Sequence, residues 1–244
     1  MENILHIPER SHTSDEQRSR PYSQEDLLLL EGQIAAISYR LVKTPAEQLD
    51  QAIIASFETL CCLLGVGRGG LLEVAAEQPV ARVTHAWYAE GVETVSEEIN
   101  LAEVFPWCYH KLVNEQKTLA ISSIAHLPEG AELDQQAFLH LKVTSNLAIP
   151  LCVSGRIHHL IVVHAIEKEV LWQKEFIVRL RLVGEIFVSA LRQREVVSKL
   201  LISENRLHLA ATSAEAGIWE FNITTRRVWA SSIELCSKVV FEGE

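Results

Sequence analysis

Two neighbouring segments decide the fold: Ser145-Asn-Leu-Ala-Ile-Pro-Leu-Cys-Val153 and, after Ser154-Gly155, Arg156-Ile-His-His-Leu-Ile-Val-Val-His-Ala-Ile166. Both are almost continuously apolar, and the short connection predicts two paired strands. A strand with one face in water alternates apolar and polar residues, whereas a strand covered on both faces does not. The pair is therefore expected at the centre of a sheet that is covered on both sides.

Two amphipathic helices are predicted before the sheet. Apolar residues at steps of three and four indicate the first, from Ser23 to about Lys43. Thr44-Pro-Ala-Glu47 fits a capping box with proline at the first helical position, so the second is expected to begin there and to end at Gly65. Residues 1–22 are polar and lack periodicity, and we interpret them as a flexible leader.

Shorter elements fill the middle of the chain. The glycine-rich stretch 65–70 follows a helix and opens a strand, the reverse of a phosphate-binding loop, and is interpreted as a turn. Strands are predicted at 71–75, 80–88 and 118–122, and helices at 105–113 and 132–143.

The last long element, from about Trp172 to Leu209, is predicted to be one helix. Its apolar residues alternate steps of four and three, which is a heptad seam that Arg194 and Glu204 interrupt. We expect the first half to pack on the domain and the second half to pair with another chain; packing within one domain alone remains an alternative. The predicted dimer and signalling residues are Leu180, Val183, Phe187, Ala190, Val197 and Leu201.

The order of these elements resembles a GAF domain over about residues 25–200. Leu63-Leu-Gly-Val-Gly-Arg68 resembles that family's helix-to-strand turn, and Phe105-Pro-Trp107 the F-P-W of GAF modules in bacterial sensor histidine kinases. Ser145 to Gly155 resembles the family's strand pair. The resemblance implies an α+β fold for residues 23–200: a GAF-like central antiparallel sheet with helices on both faces and a long C-terminal signalling helix.

A second resemblance begins near the end of that helix. Ser203-Glu-Asn-Arg-Leu-His-Leu-Ala-Ala and Ala216-Gly-Ile-Trp-Glu-Phe-Asn222 look like the start of a PAS domain. Two strands are predicted around a turn at 224–226, and two strands alone are marginally stable. Residues 201–244 are therefore interpreted as the end of a linker helix and the truncated start of a PAS domain.

These resemblances imply a sensory input module of a multidomain signalling protein, a two-component sensor histidine kinase above all, that relays ligand or partner state through a dimeric helix. Two alternatives stay open: a ligand-free dimerisation module, with side chains such as His159 filling the pocket, or the input domain of a transcription activator or cyclic-dinucleotide enzyme. In the family a ligand lies between one sheet face and the helices over it. Candidate lining residues are Trp87, Phe105, Trp107, His110, Asn146 and His159.

The net charge of the chain and the length of its apolar runs limit the classes of partner that are expected. The formal net charge is −10, which disfavours nucleic acid and anionic lipid surfaces. The longest run without acidic or basic residues, Val143 to Gly155, is shorter than the ~20 residues of a membrane-spanning helix. We expect a cytoplasmic homodimer, paired through its N- and C-terminal helices, with a possible small-molecule ligand.

The sequence lacks motifs for catalysis, metal binding and covalent bilin attachment. The chain has no nucleophile elbow, no kinase glycine-rich loop and no three-ligand metal set, so this segment is predicted not to be an enzyme. Leu133 and Asp134 align with the Cys-His pair that holds a bilin in some relatives, so no covalent bilin is expected and the cofactor stays unassigned. The five cysteines lack a C-x-x-C pair and are predicted to be reduced and buried.

Overall fold

The computed structural model describes residues 3–7, 22–76, 78–153, 155–213, 219–223 and 227–230. The chain divides into two compact units, Met1–Leu191 and Arg192–Glu244. Within the described residues, no helix has the length and apolar character needed to cross a membrane.

The first unit is built on a seven-stranded sheet, in the order β1-β5-β6-β7-β2-β3-β4. Every neighbouring pair is antiparallel except β1 and β5, which are parallel, so the predicted antiparallel sheet is mixed at one edge. The expected pairing of the two apolar segments at 145–166 is confirmed. The strands are β1 (Ile4–Ile7), β2 (Arg68–Val74), β3 (Val80–Tyr88), β4 (Glu98–Asn100), β5 (Thr118–Ile121), β6 (Ser145–Val153) and β7 (Arg156–Ala165).

Helices cover the sheet on both faces, as predicted. They are α1 (Gln24–Lys43), α2 (Leu49–Leu64), α3 (Leu101–Val104), α4 (Pro106–Tyr109), α5 (Glu132–His140) and α6 (Lys174–Ser213). Helix α4 continues as one π-helical turn, His110–Asn114.

Alternate residues of the central strands enter two separate cores. Leu147 and Ile149 of β6 pack in the core that contains residues of α1, α2 and α6. Ala148, between them, packs in the opposite core with Phe105 and Phe138 from the region of α3 to α5. Period-two alternation in one strand therefore explains why β6 is apolar at nearly every position.

The first helix begins as the sequence predicts. Ser23 and Asp26 form a reciprocal capping box, in which the Ser23 hydroxyl accepts from the Asp26 amide and the Asp26 carboxylate accepts from the Ser23 amide. The capping box predicted at Thr44 is wrong. The Thr44 hydroxyl donates to the Arg40 carbonyl at 2.8 Å and ends α1, and α2 is instead entered through the 3-10 turn Ala46–Gln48.

Strand β1 lies within the predicted leader, and for these four residues the leader interpretation is wrong. Ile4 to Ile7 pair along their length with β5, from Thr118 to Ile121. A strand held by a ladder of backbone hydrogen bonds is not a flexible segment. Residues 8–21 of the same prediction lie outside the described residues.

Two glycines of β2 allow close packing on both of its sides. The turn prediction holds for Gly65, which has a φ of 64°, but Gly69 and Gly70 lie within the strand. A Cβ on Gly69 would lie 2.6 Å from the Cys61 sulfur of α2, and one on Gly70 would lie 2.9 Å from the His85 carbonyl oxygen of β3. Neither distance is tolerable, so both positions require glycine.

Helix α6 is continuous, as predicted, and its first half packs on the domain. Leu180, Val183 and Phe187 are at most 1% exposed, so they belong to the core and are not available to a second chain. That part of the predicted dimer seam is therefore corrected. Gly184 lets the helix approach the sheet, because a Cβ there would lie 2.7 Å from a terminal carbon of Leu151.

Three residues of the predicted seam remain, and they lie in the later part of α6. Ala190 is partly buried against the first core, whereas Val197 and Leu201 are exposed. In the second unit, strands β8 (Trp219–Asn222) and β9 (Arg227–Ala230) form the predicted antiparallel pair. The turn at 224–226 and the remainder of the predicted PAS segment lie outside the described residues.

Replacement of Gly70 tests the close packing of β2. Gly70→Ala is expected to lower the free energy of unfolding by roughly 1–3 kcal/mol, because the added methyl meets a strand backbone that cannot yield. Gly32→Ala is the matched control: Gly32 lies in α1 with nothing within 4 Å of its Cβ position, so this change should stabilise by up to ~1 kcal/mol. Equal effects in denaturant unfolding would contradict the assignment.

Candidate functional site

A cavity of about 90 Å³ lies against the sheet, on the face that α3 to α5 cover. Leu72, Val83 and Leu160 form its floor, and Phe105 and Phe138 close it from the helical side. The walls are almost entirely apolar. An apolar enclosure with a few polar groups is the usual form of a small-molecule site.

The cavity exists because the sheet carries small residues at its centre. Gly69, Gly70, Ala86 and Ala148 all line it. Gly70 is fixed by its packing against β3, so this position of β2 carries no side chain that could fill the space above it. A depression therefore remains in an otherwise closely packed interior.

Arg68 supplies the charge at the cavity wall. It is only 5% exposed, and its Nε donates to Nδ1 of His164 at 2.7 Å. One terminal nitrogen, Nη1, donates to the Glu93 carbonyl at 3.4 Å. The other, Nη2, is buried and has no hydrogen-bond partner among the described residues.

His164 is held in its neutral form by this contact. An arginine Nε–H can only donate, so Nδ1 of His164 must be the acceptor and its proton must lie on Nε2. Burial lowers the pKa of His164 well below its usual value, and the charge of Arg68 lowers it further. The ring also meets Phe138 edge-on, with 6.0 Å between the ring centroids.

Asp134 fixes the helical wall of the cavity. This buried carboxylate accepts hydrogen bonds from the amides of Trp107 at 3.0 Å and Cys108 at 2.8 Å, at the start of α4. The carboxylate thus satisfies two amides that the helix leaves without partners. Asp134, one of the two positions aligned with the bilin Cys-His pair, is accordingly a structural residue here.

The thiol of Cys108 also lines the cavity, and its environment keeps it protonated. Burial raises the pKa of Cys108 well above the usual value, and the neighbouring Asp134 carboxylate adds to the shift. Because the thiolate is the reactive form, this thiol is a poor nucleophile. Cys61 is also buried, with its pKa raised to about 12, whereas Cys62 and Cys152 are exposed, contrary to the prediction of buried cysteines.

Two of the six predicted ligand-binding candidates, Phe105 and Asn146, line the cavity. Trp87 packs against the opposite core. Trp107 packs in the cavity-side core without lining the cavity. The His110 ring is 58% exposed and its Nδ1 lies 3.1 Å from a Glu115 carboxylate oxygen. The proposed ligand role of the two lining residues stays a prediction.

His159 does not fill the cavity. Side chains in β7 alternate between the two faces of the sheet, so His159 lies on the same face as Ile161 and Val163, which pack in the opposite core. The residues of β7 on the other face, such as Leu160 and His164, line the cavity. The alternative in which His159 occupies the pocket is therefore wrong, since this side chain is on the other face of the sheet. No group of three or more metal-ligating side chains occurs among the described residues.

Sequence reasoning missed Arg68 and His164. In the sequence, Arg68 is recognisable only as the end of the Leu63–Arg68 turn motif, and His164 only as one of three histidines in β7. The available signal was parity: His164 alternates with Val163 in β7, so it must point to the face opposite His159. The pairing of β2 with β7 then brings it to Arg68, because the two are register partners.

Solved structures with this architecture are similar over most of the first unit. The phycoerythrobilin-bound GAF domain of a cyanobacterial phytochrome is 14% identical, with a TM-score of 0.57, over 70% of this chain and 98% of that one. A phycocyanobilin-bound GAF domain, also from a cyanobacterial phytochrome, is 16% identical, with a TM-score of 0.55, over 67% and 94%. The chain has the GAF fold.

Another structure with this GAF architecture is the free methionine-R-sulfoxide reductase of Neisseria meningitidis in complex with its substrate. It is 10% identical, with a TM-score of 0.56, over 74% of this chain and 98% of that one. At these identities the likeness is one of fold. No protein-family model and no curated protein matches the sequence.

The turn into β6 has a strained residue, Lys142, whose φ is +56°. Glycine adopts this left-handed conformation without strain, whereas lysine does so at a cost.

Acidification is expected to destabilise the first unit through His164. Its folded-state pKa lies below the unfolded value of ~6.5, so below that pH the unfolded chain binds a proton that the folded chain excludes. Stability should fall as pH drops from 7.5 to 5.5, by up to about 1.4 kcal/mol per pH unit for this one group.

Chemical denaturation at both pH values measures this effect. His164→Gln keeps an acceptor for Arg68 without titrating, and should flatten the pH dependence. His159→Gln is the control for the other histidine whose pKa burial lowers. An unchanged slope in His164→Gln would show that the ring is not held neutral.

Proposed function

We propose that this chain is a sensory input module that binds a small molecule in the cavity of its GAF fold and relays occupancy through α6. The observation that carries the proposal is the cavity itself, whose position puts the sheet between it and α6. Two of the similar structures hold a bilin and a third is in complex with its substrate, which supports a ligand-binding use of this fold.

The relay rests on the alternation of β6. Ala148 lines the cavity, and the residues beside it, Leu147 and Ile149, pack in the core that α6 completes. Arg181 of α6 also donates to the Pro150 carbonyl at 2.8 Å and to the Thr118 hydroxyl. A ligand that displaces β6 therefore acts on a strand that is hydrogen-bonded directly to the helix.

A homodimer that pairs through α1 and the second half of α6 would carry the signal onward. Val197, Leu200 and Leu201 are each about half exposed on α6, and α1 exposes Leu28 and Val42. Apolar side chains at heptad spacing on an uncovered helix are typical of coiled-coil partners. We place this module in the cytoplasm, in a two-component sensor histidine kinase whose catalysis belongs to another domain and whose next domain resembles PAS.

A cavity-filling variant tests ligand binding. Indole, used as a neutral probe, is expected to raise the melting temperature; at ten times its Kd the stabilisation is ~1.4 kcal/mol. Ala148→Leu fills the cavity from the sheet side and should abolish the shift. Ala35→Leu, at an exposed position of α1, is the control and should keep it. No shift in the unaltered protein would argue against a ligand cavity.

The paired-helix proposal is tested by adding charge on the seam. Val197→Asp should convert the dimer to a monomer in sedimentation equilibrium, because a carboxylate at a seam position is desolvated by pairing. Val196→Asp makes the same chemical change at a neighbouring, more exposed position outside the seam and should leave the dimer intact. A chain that is monomeric at high concentration, or a dimer unaffected by Val197→Asp, would overturn the proposal.

A further inference from the structure

The cation at the cavity wall lacks a counter-charge. The guanidinium of Arg68 contacts the ring of His164 and the backbone carbonyl of Glu93, and both are neutral. The Glu93 carboxylate is instead exposed and paired with Lys142 at 3.3 Å. Within the described residues, Nη2 of Arg68 has no hydrogen-bond partner, and the electrostatic neighbour of this side chain, Tyr88, is a phenol that is neutral at pH 7.

An isolated buried charge is unusual. Arginine remains protonated in proteins, so it cannot escape the cost of burial by losing its proton. Buried cations are therefore normally paired with an acidic group or with several hydrogen-bond acceptors. Here the side chain is 5% exposed and lines an apolar cavity, so a bound anion is the partner that this arrangement lacks.

We propose that the cavity takes a small monocarboxylate with an aromatic or aliphatic body, and that the carboxylate pairs with Nη2 of Arg68. The body would lie between the sheet and the contacting rings of Phe105 and Phe138, over the small residues of the sheet. This inference rests on the proposed ligand-binding function and specifies its ligand class.

The donors and the volume favour a carboxylate over larger anions. One unpartnered guanidinium nitrogen suits a singly charged carboxylate, and the polar residues His164 and Asn146 also line the cavity. A phosphate dianion needs more donors than this wall presents. A volume of about 90 Å³ has room for roughly six to nine waters, which corresponds to a ligand of about ten non-hydrogen atoms.

Benzoate and benzamide test the charge requirement, because they share shape and differ in charge. Calorimetry of the full chain is expected to give a Kd for benzoate at least about tenfold lower than for benzamide, since hydrogen bonds to charged groups are the stronger ones. Arg68→Gln should remove this preference. Arg82→Gln is the charge-matched control: Arg82 is an exposed partner of Glu73 and should leave the preference unchanged.

The outcomes distinguish the carboxylate proposal from the proposal that the cavity binds a ligand. Benzamide binding as tightly as benzoate would overturn the carboxylate assignment while leaving the ligand cavity in place. Binding of neither benzoate, benzamide nor indole would overturn both. If Arg68→Gln does not fold, Arg68→Lys retains the charge and should preserve most of the preference; the benzoate-to-benzamide ratio in the unaltered protein decides the matter without any variant.

Discussion

The burial of both faces of β6 and β7 is the constraint from which the rest of the first unit follows. Alternate side chains of these strands enter different cores, so neither face can be left in water. Helices must therefore cover both faces of the sheet: α1, α2 and α6 cover one face, and α3 to α5 cover the other. A strand pair with this pattern has few architectures open to it, which is why it determines the fold.

The close packing of the neighbouring strand β2 contributes to the cavity. Gly70 meets the backbone of β3, so this position of β2 carries no side chain that could fill the space between the sheet and α4. Arg68, two residues earlier in the same strand, is also buried. Strand β2 thus contributes both to the apolar cavity and to the buried charge at its wall.

Local patterns allowed most elements to be predicted, and long-range pairing accounts for most of the errors. The start of α1 at Ser23, the cap at Gly65 and the continuous helix α6 depend on residues near one another in the chain. Strand β1 does not: its four residues are recognisable only through pairing with β5, more than a hundred positions away. The position of Trp87 has a related cause, since the register shift opposite Leu71 and Leu72 alters which residues of β3 face each core.

The packing of α6 on the sheet provides the contacts through which the proposed ligand signal would leave the cavity. Leu147 and Ile149 are the neighbours of Ala148 in β6, and their side chains lie on the opposite face of the sheet. A displacement of Ala148 would therefore also move these two residues. Helix α6 packs closely against Leu151, because a Cβ added at Gly184 would lie only 2.7 Å from a terminal carbon of Leu151. Close-packed contacts change by discrete steps and not by gradual deformation. In the proposed relay, a shift in β6 would therefore act on α6 through the contact between the sheet and this helix.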